Sequence, residues 1–433
     1  MLQIWKKSCT FAAKIQKNTI ITMLDAFFKI HDFLVEHSFM PIRRQLMDEV
    51  DWNDRLIAIK GGRGVGKTDF LLTCAKEIEQ EWERSLVADI DAKRKRKPSK
   101  PIRPCLYVSM NDFYFAEHTL VELAGQFVKA GGEYLFLDQL FKYPNWSKEL
   151  RRCYTKYKKL HIVFCATPVM PLEDDNHDIG EIIKTYNLRG FSFREYLCIQ
   201  TKRHFRSYTL EEIIQHHASI SREICEQVKP LDFFEAYLHH GYYPSYLESK
   251  SFEVELLKTM NTQLEVDVLM IKQIDVACLN KLRKLLYIMM REAPCALNVS
   301  SIAEEIKLSR ATTMNYIKYL KDSRLINLLY LENKNFPMKP SKVFMQNTNL
   351  AQMLATRELT KQELYETCFY ACVHGSHKLN ATERSAMFIV DGKYYFDVRE
   401  TTPQRDTIRP TAIGTLETGR GNMIPLWLLG FLY

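Results

Sequence analysis

The chain has eleven cysteines but no C-x-x-C pair and no regular spacing among them. That leaves no zinc-ribbon pattern and no disulfide framework, so the thiols are expected to be reduced, as in a cytoplasmic protein. Internal repeats are absent. In the opening "MLQIWKKSCTFAAKIQKNTIITM", Lys14 and Lys17 break the only apolar run, so neither a signal peptide nor a membrane span is expected. Met23 opens a cleaner amphipathic stretch, and residues 1–22 read as an upstream extension. Charge of one sign is only mildly in excess, with 60 Lys plus Arg against 52 Asp plus Glu. Much of that excess is local, because Lys93, Arg94, Lys95, Arg96, Lys97, Lys100 and Arg103 crowd together. Such a run is either a nucleic-acid patch or, more simply, a solvated loop. Glycine is scarce, yet four of the 16, Gly61, Gly62, Gly64 and Gly66, fall within six residues.

That cluster sits in "LIAIKGGRGVGKTDFLL", between a β-rich run and a helical pattern. Gly61, Gly66, Lys67 and Thr68 satisfy GxxxxGK[ST], the phosphate loop. Glycine is needed because only a residue without Cβ lets successive N–H groups turn inward around phosphate oxygens. Gly61, Gly62, Arg63, Gly64, Val65, Gly66, Lys67 and Thr68 are therefore the candidate nucleotide-binding residues. Lys67 would reach the β- and γ-phosphates of ATP, and Thr68 would offer its hydroxyl to Mg²⁺. The surrounding text alternates strand and helix signals, the mark of a parallel sheet with covering helices. Strands are expected at Leu56–Lys60, Leu106–Ser109, Tyr134–Asp138 and His161–Ala166, with a helix from Thr68 to about Glu83.

Asp138 ends the strand in "GGEYLFLDQLFKYPNW" and is the natural Mg²⁺ carboxylate, although a helix N-cap would look the same. Thr167 follows the strand "HIVFCA" where a hydroxyl can sense a γ-phosphate or the attacking water. An apolar strand ending in a loop would read no differently. Beyond "FSFREYL" helical periodicity dominates to about residue 280, with "HHGYYPSYLES" as a turn. From 281 to 350 the order helix, helix, turn near Ser309, helix and two strands describes a winged helix-turn-helix. In its second helix of the pair, Arg310, Thr312, Thr313, Asn315 and Lys318 suit phosphate and base-edge contacts with DNA. The same helix is equally fit to pack on a protein partner. In the last block, "SAMFIVDGKYYFDV" reads as two strands joined at Asp391-Gly392, a type I′ hairpin signal.

The segments "GGRGVGKTDFLL", "LYVSMNDFYF", "GGEYLFLDQLFKYPNW", "HIVFCATP", "LRGFSFREYL" and "GYYPSYLES" resemble, in that order, the prokaryotic AAA-type ATPases of the archaeal-ATPase-like group. The likeness runs from about Met23 to Tyr433 and takes in "KPSKVFMQNTNLAQML" and "GNMIPLWLLGFLY". It implies an α/β P-loop NTPase core (23–200), a helical lid (201–280), a winged helix (281–350) and a small α/β nuclease-like domain (351–433). Against that family the chain departs in three places. Gln139 stands after the strand-end acid where relatives carry glutamate. Glu181 and Ile182 stand where an arginine is usual, leaving Arg189, Arg194 or a neighbouring subunit to supply that cation. In the final domain Met387 takes the place of an acid, Asp397 that of a glutamate, and no lysine follows in "RETT".

These departures set the expectation: an ATP- and Mg²⁺-binding protein whose catalytic set, Lys67, Asp138, Gln139 and Thr167, hydrolyses slowly while nucleotide gates a conformational change. The alternative is a DNA-binding regulator that holds nucleotide as a structural ligand. No membrane partner is expected, and oligomeric state stays open. The last domain is expected to be inactive as a nuclease.

Overall fold

The computed structural model describes residues 24–91, 103–354, 356–383, 387–405 and 407–433. The extension 1–22 and nearly all of the basic run lie outside the described residues. Two compact units are formed: the described residues up to Gly61 with Lys67–Leu188, and Gly62–Gly66 with Arg189–Tyr433.

The first unit is built on a five-stranded sheet: β1 (Leu56–Lys60), β2 (Cys105–Ser109), β3 (Tyr134–Asp138), β4 (His161–Ala166) and β5 (Lys184–Asn187). Their order is β2-β3-β4-β1-β5, and every pair is parallel. The interior strands are continuous apolar runs, Leu56 to Ile59 and Ile162 to Ala166, as a sheet covered on both faces requires. β5 escaped sequence reading because "KTYN" has no apolar run; it pairs only with β1 at an edge and is half-exposed, so burial never selected its side chains. The helix after the glycine loop spans Lys67–Asp91, well past the expected end near Glu83. Nothing between those positions is glycine or proline, so no stop signal interrupts it. Residues 24–37 form a further helix, whose Phe27 meets Tyr114 edge-on at 5.3 Å.

The second unit opens with the helices Phe193–Thr201 and Leu210–Cys225. Each is started by a reciprocal capping box, Ser192 with Glu195 and Thr209 with Glu212. Helices Leu279–Glu292, Val299–Ile306 and Arg310–Asp322 follow, then an antiparallel pair, β6 (Ile326–Leu329) and β7 (Lys342–Met345). Leu285, Ile317, Leu320, Ile326 and Val343 close one apolar core among these elements. Ser309 caps the helix Arg310–Asp322 by accepting from Thr312 N.

After the helix Lys361–Val373 comes a five-stranded sheet ordered β12-β11-β10-β9-β8. Its strands are β8 (Leu379–Asn380), β9 (Phe388–Val390), β10 (Tyr394–Arg399), β11 (Thr411–Ile413) and β12 (Met423–Pro425). β8, β9 and β10 run antiparallel and β10, β11 and β12 parallel. Asp391 (φ 53°) and Gly392 (φ 66°) make the β9–β10 turn, closed by Lys393 N on Val390 O. Positive φ at both central residues is the type I′ requirement that Asp-Gly meets. Among the described residues no helix is long and apolar enough to cross a membrane.

Candidate functional site

In a parallel sheet all strands end at one edge, and loops leaving that edge collect ligands. Here Lys60 pairs with Ala166 and Ser109 with Asp138, and Gly61 N donates to Ala166 O at 3.1 Å. The glycine loop, Asp138 and Thr167 therefore all leave the carboxyl edge. Gly64 (φ 78°) and Gly66 (φ 86°) occupy the left-handed region that disfavours any side chain, which explains glycine at those two places. Lys67 opens the helix, and its Nζ donates to Gly61 O at 2.8 Å, arching across the loop's base. Helix N-termini present unpaired N–H groups and a partial positive charge, both suited to phosphate.

Thr68 Oγ1 donates to Asp138 Oδ2 at 2.6 Å. The same oxygen accepts from Tyr107 Oη at 2.9 Å, while Asp138 Oδ1 accepts from Gln139 N at 2.7 Å. Burial, and then the negative charge of Asp138, push the Tyr107 phenol well above its ordinary value, so it remains an O–H donor. Burial likewise raises the thiol of Cys165, with the charge of Asp138 adding to it, so this cysteine is not a nucleophile. Asp138 is 7% exposed. Asp138 does not act as a helix N-cap: the turn that follows has Gln139 at its cap position without a side-chain cap bond, and two hydroxyls from separate elements converge on the Asp138 carboxylate.

Gln139 adopts a left-handed backbone (φ 53°) and leads into a short 3-10 turn, Leu140–Lys142. Thr167 is 4% exposed, and its Oγ1 is buried without a hydrogen-bond partner. An orphaned hydroxyl costs about 1–3 kcal/mol, so a ligand group that bonded it would recover that energy. The orphan, the Thr68–Asp138 pair and the glycine cradle fit an Mg²⁺–nucleotide with Thr68 and Asp138 as the metal-side residues.

Arg63 belongs with the second unit, where its Nε and Nη2 fork onto Asp267 at 3.0 and 2.9 Å. Asp267 is fully buried in the π-helical stretch Gln263–Met270. A partner 204 residues away leaves no local signal in sequence. The two arginines expected as alternative cations are also engaged in the second unit. Arg189 donates to Cys372 O at 3.2 Å and stacks on Tyr433 at 3.8 Å; Arg194 donates to Tyr433 O and Phe205 O at 3.0 and 3.1 Å.

On the helix Arg310–Asp322, Arg310, Asn315 and Lys318 are exposed. Thr312 is half-buried, its Oγ1 lying 2.8 Å from Ser309 Oγ. Thr313 departs from expectation: it is fully buried, and its Oγ1 donates to Ser309 O at 2.9 Å. It faces inward with Met314, Ile317 and Leu320, so it supports the helix start and cannot meet a base edge.

Residues 53–197 match the family model described as an AAA domain. They form an AAA-type P-loop domain. Residues 231–361 match a second model, a Domain of unknown function (DUF8612). The chain is 23% identical over 306 residues to an uncharacterised protein of Methanocaldococcus jannaschii, MJ1637, covering 67% of this chain and 60% of the relative. It thus spans less than two thirds of that relative's length. Among solved structures, it is similar to the Aeropyrum pernix ORC1 protein in complex with DNA, at 11% identity and TM-score 0.29, covering 70% of this chain and 86% of that one. AMPPCP-bound DnaA from Aquifex aeolicus follows at 13% and TM-score 0.22, covering 68% and 87%. C. elegans PCH-2 gives 13% and 0.23, covering 71% and 68%. Likenesses this distant bear on neither ligand nor partner, and the reading of the AAA domain rests on its own residues.

Proposed function

We propose that this chain binds ATP with Mg²⁺ at residues 61–68 and Asp138, hydrolyses it slowly, and uses the nucleotide to gate a conformational change. The observation that carries the reading is the 2.6 Å bond between Asp138 Oδ2 and Oγ1 of Thr68, the residue that ends the phosphate-loop motif. A hydroxyl and a carboxylate held together there are what a phosphate-bound divalent cation requires. When bound, Mg²⁺ would neutralise charge on the β- and γ-phosphates. Lys67 would contact the same oxygens, and the loop N–H groups would orient them. Thr167 would give its unpartnered hydroxyl to the γ-phosphate or the attacking water. Gln139 could orient that water, but its amide cannot accept the proton that glutamate would take. Calorimetry with ATP and Mg²⁺, followed by phosphate release, tests the reading; no ATP binding by the purified chain sinks it.

A second reading is favoured by the outward face of the helix Arg310–Asp322. Arg310, Asn315 and Lys318 present cationic and amide groups to solvent, and Lys318 Nζ lies 4.9 Å from the Phe336 ring in the loop between β6 and β7. The element order around it supports a winged helix over 281–350 that contacts DNA, with the helical stretch 201–280 as lid. Duplex binding across a salt series checks this, a steep decline in affinity marking phosphate contacts.

For 351–433 we propose a nuclease-like scaffold that does not cleave. Met387 N donates to Asp397 Oδ1 at 3.2 Å, Arg409 lies 3.6 Å from the other oxygen, and Arg399 stands two residues on, where that chemistry needs lysine.

A further inference from the structure

Tyr107 is unassigned by motif, yet it makes one of the hydrogen bonds on the strand-end carboxylate. It lies in β2 opposite Phe136, while Ser109 lies opposite Asp138. Its phenol thus reaches diagonally along one face of the sheet, a span that aromatic side chains cover. Two hydroxyls, Thr68 at 2.6 Å and Tyr107 at 2.9 Å, converge on Asp138 Oδ2, and the Gln139 amide holds Oδ1 at 2.7 Å. Three donors from three directions fix the rotation of the carboxylate about its own axis.

The backbone of Tyr107 is fixed as well. β2 is an edge strand, so among the described residues its outward N–H groups have no neighbouring strand. Tyr107 N donates instead to Nδ1 of His31 at 2.9 Å, and His31 is fully buried on the helix 24–37. The other ring nitrogen of His31 lies 3.2 Å from Glu79 Oε1, which also accepts from Arg103 at 3.3 Å. A ring that accepts at Nδ1 must carry its proton at Nε2, so Glu79 fixes the tautomer that Tyr107 needs. The line runs Arg103, Glu79, His31, the Tyr107 backbone, the Tyr107 phenol, Asp138.

We propose that Tyr107 is a positioning residue that aims the Asp138 carboxylate at the nucleotide's Mg²⁺. The assignment rests on the ATP–Mg²⁺ reading above. Free rotation of Asp138 would leave the cation's carboxylate partner correctly placed only part of the time. A phenol that merely satisfied its own burial would affect folding stability and nothing else.

Tyr107→Phe keeps the ring and removes only the donor. ATP affinity of the full chain is measured in EDTA and across a Mg²⁺ series, for parent and variant. Affinity in EDTA is expected to stay within about twofold, because the loop and Lys67 are untouched. The Mg²⁺ concentration giving half of the Mg²⁺-linked gain is expected to rise about 3- to 10-fold, the worth of one hydrogen bond. An unchanged half-point in a variant that binds ATP normally overturns the proposal. An equal loss with and without Mg²⁺ also overturns it, since a general structural defect would do that. A parent chain that binds no ATP under either condition overturns the nucleotide reading and this proposal with it. His31→Gln, which disturbs the backbone anchor from behind, should move the Mg²⁺ half-point in the same direction by a smaller factor; no shift there would reduce the line to the phenol alone.

Discussion

Asp138 takes its hydrogen bonds from neutral donors, the hydroxyls of Thr68 and Tyr107 and the Gln139 amide, whereas Glu366 and Asp397 of the last domain lie against cations. Glu366, buried on the helix Lys361–Val373, forms an ion pair with Lys342, and Asp397 has Arg409 at 3.6 Å. The difference lies in where the charge goes. Neutral donors orient a carboxylate and leave its negative charge to attract a cation, while a lysine or arginine consumes that charge and repels a second cation. On the proposed reading, Asp138 keeps its charge for Mg²⁺, whereas Glu366 and Asp397 have theirs met by a lysine and an arginine.

The largest expected effect tests the phosphate side. Lys67→Ala should weaken ATP binding on the order of 100-fold or more, since a charge-assisted contact is lost from a poorly hydrated site. Calorimetry checks it, and equal affinities would mean the loop does not hold phosphate.

The comparison itself can be broken with Mn²⁺ as a spectroscopic substitute. In the presence of ATP, Asp138→Asn should weaken Mn²⁺ binding about 30-fold or more, by removing a full ligand-side charge. Asp397→Asn should leave it unchanged. A Mn²⁺ site that survives the first change and disappears with the second would reverse the roles assigned to the two regions. Plasmid cleavage lost with Asp397→Asn would do the same.

Gln139→Glu sharpens the first half. General-base help is worth roughly 10²–10⁴ in rate, but on the family resemblance Glu181 and Ile182 take the place of an expected arginine. Rescue should therefore be partial, about tenfold in steady-state phosphate release. A parent chain that turns over ATP as fast as the variant would show that Gln139 is not limiting.

The smallest effect concerns one histidine of the second unit that faces several cations. Burial holds His374 down to about 4, with the charges of Arg189, Lys321 and Arg324 adding to it. Below about 6.5 the unfolded chain takes up a proton that the folded chain refuses until about pH 4. Stability from this group is therefore complete above 6.5 and lost as pH falls toward 4. Because the His374 ring also meets solvent, which screens these charges, urea unfolding should show a loss of no more than about 1 kcal/mol between pH 7 and 5 that His374→Gln removes. The same slope in parent and variant would assign the pH dependence elsewhere.

The glycine loop was legible because its chemistry is local: backbone geometry demands glycine, and Lys67 and Thr68 follow at fixed offsets. Strands β1, β3 and β4 were legible for a similar reason, since each is an uninterrupted apolar run. Asp138 and Thr167 could be named because each directly follows or ends such a run. Thr313 misled because the sequence lists residue types on a helix without saying which way each one faces.

What the sequence determined by itself, then, is the set of local solutions: the phosphate loop, the interior strands, the capping boxes and the Asp391-Gly392 turn. Each depends on interactions within a few residues. Strand order was decided only in three dimensions, with β4 placed between β1 and β3 and the polar β5 recruited to the edge. So were the company of Asp138, the ring of His31 on the β2 edge, and the pairing of Arg63 with Asp267. Those contacts join residues from 31 to 204 positions apart. A hydrogen bond has no sequence signature when its partners are brought together by packing of elements whose own formation it does not affect.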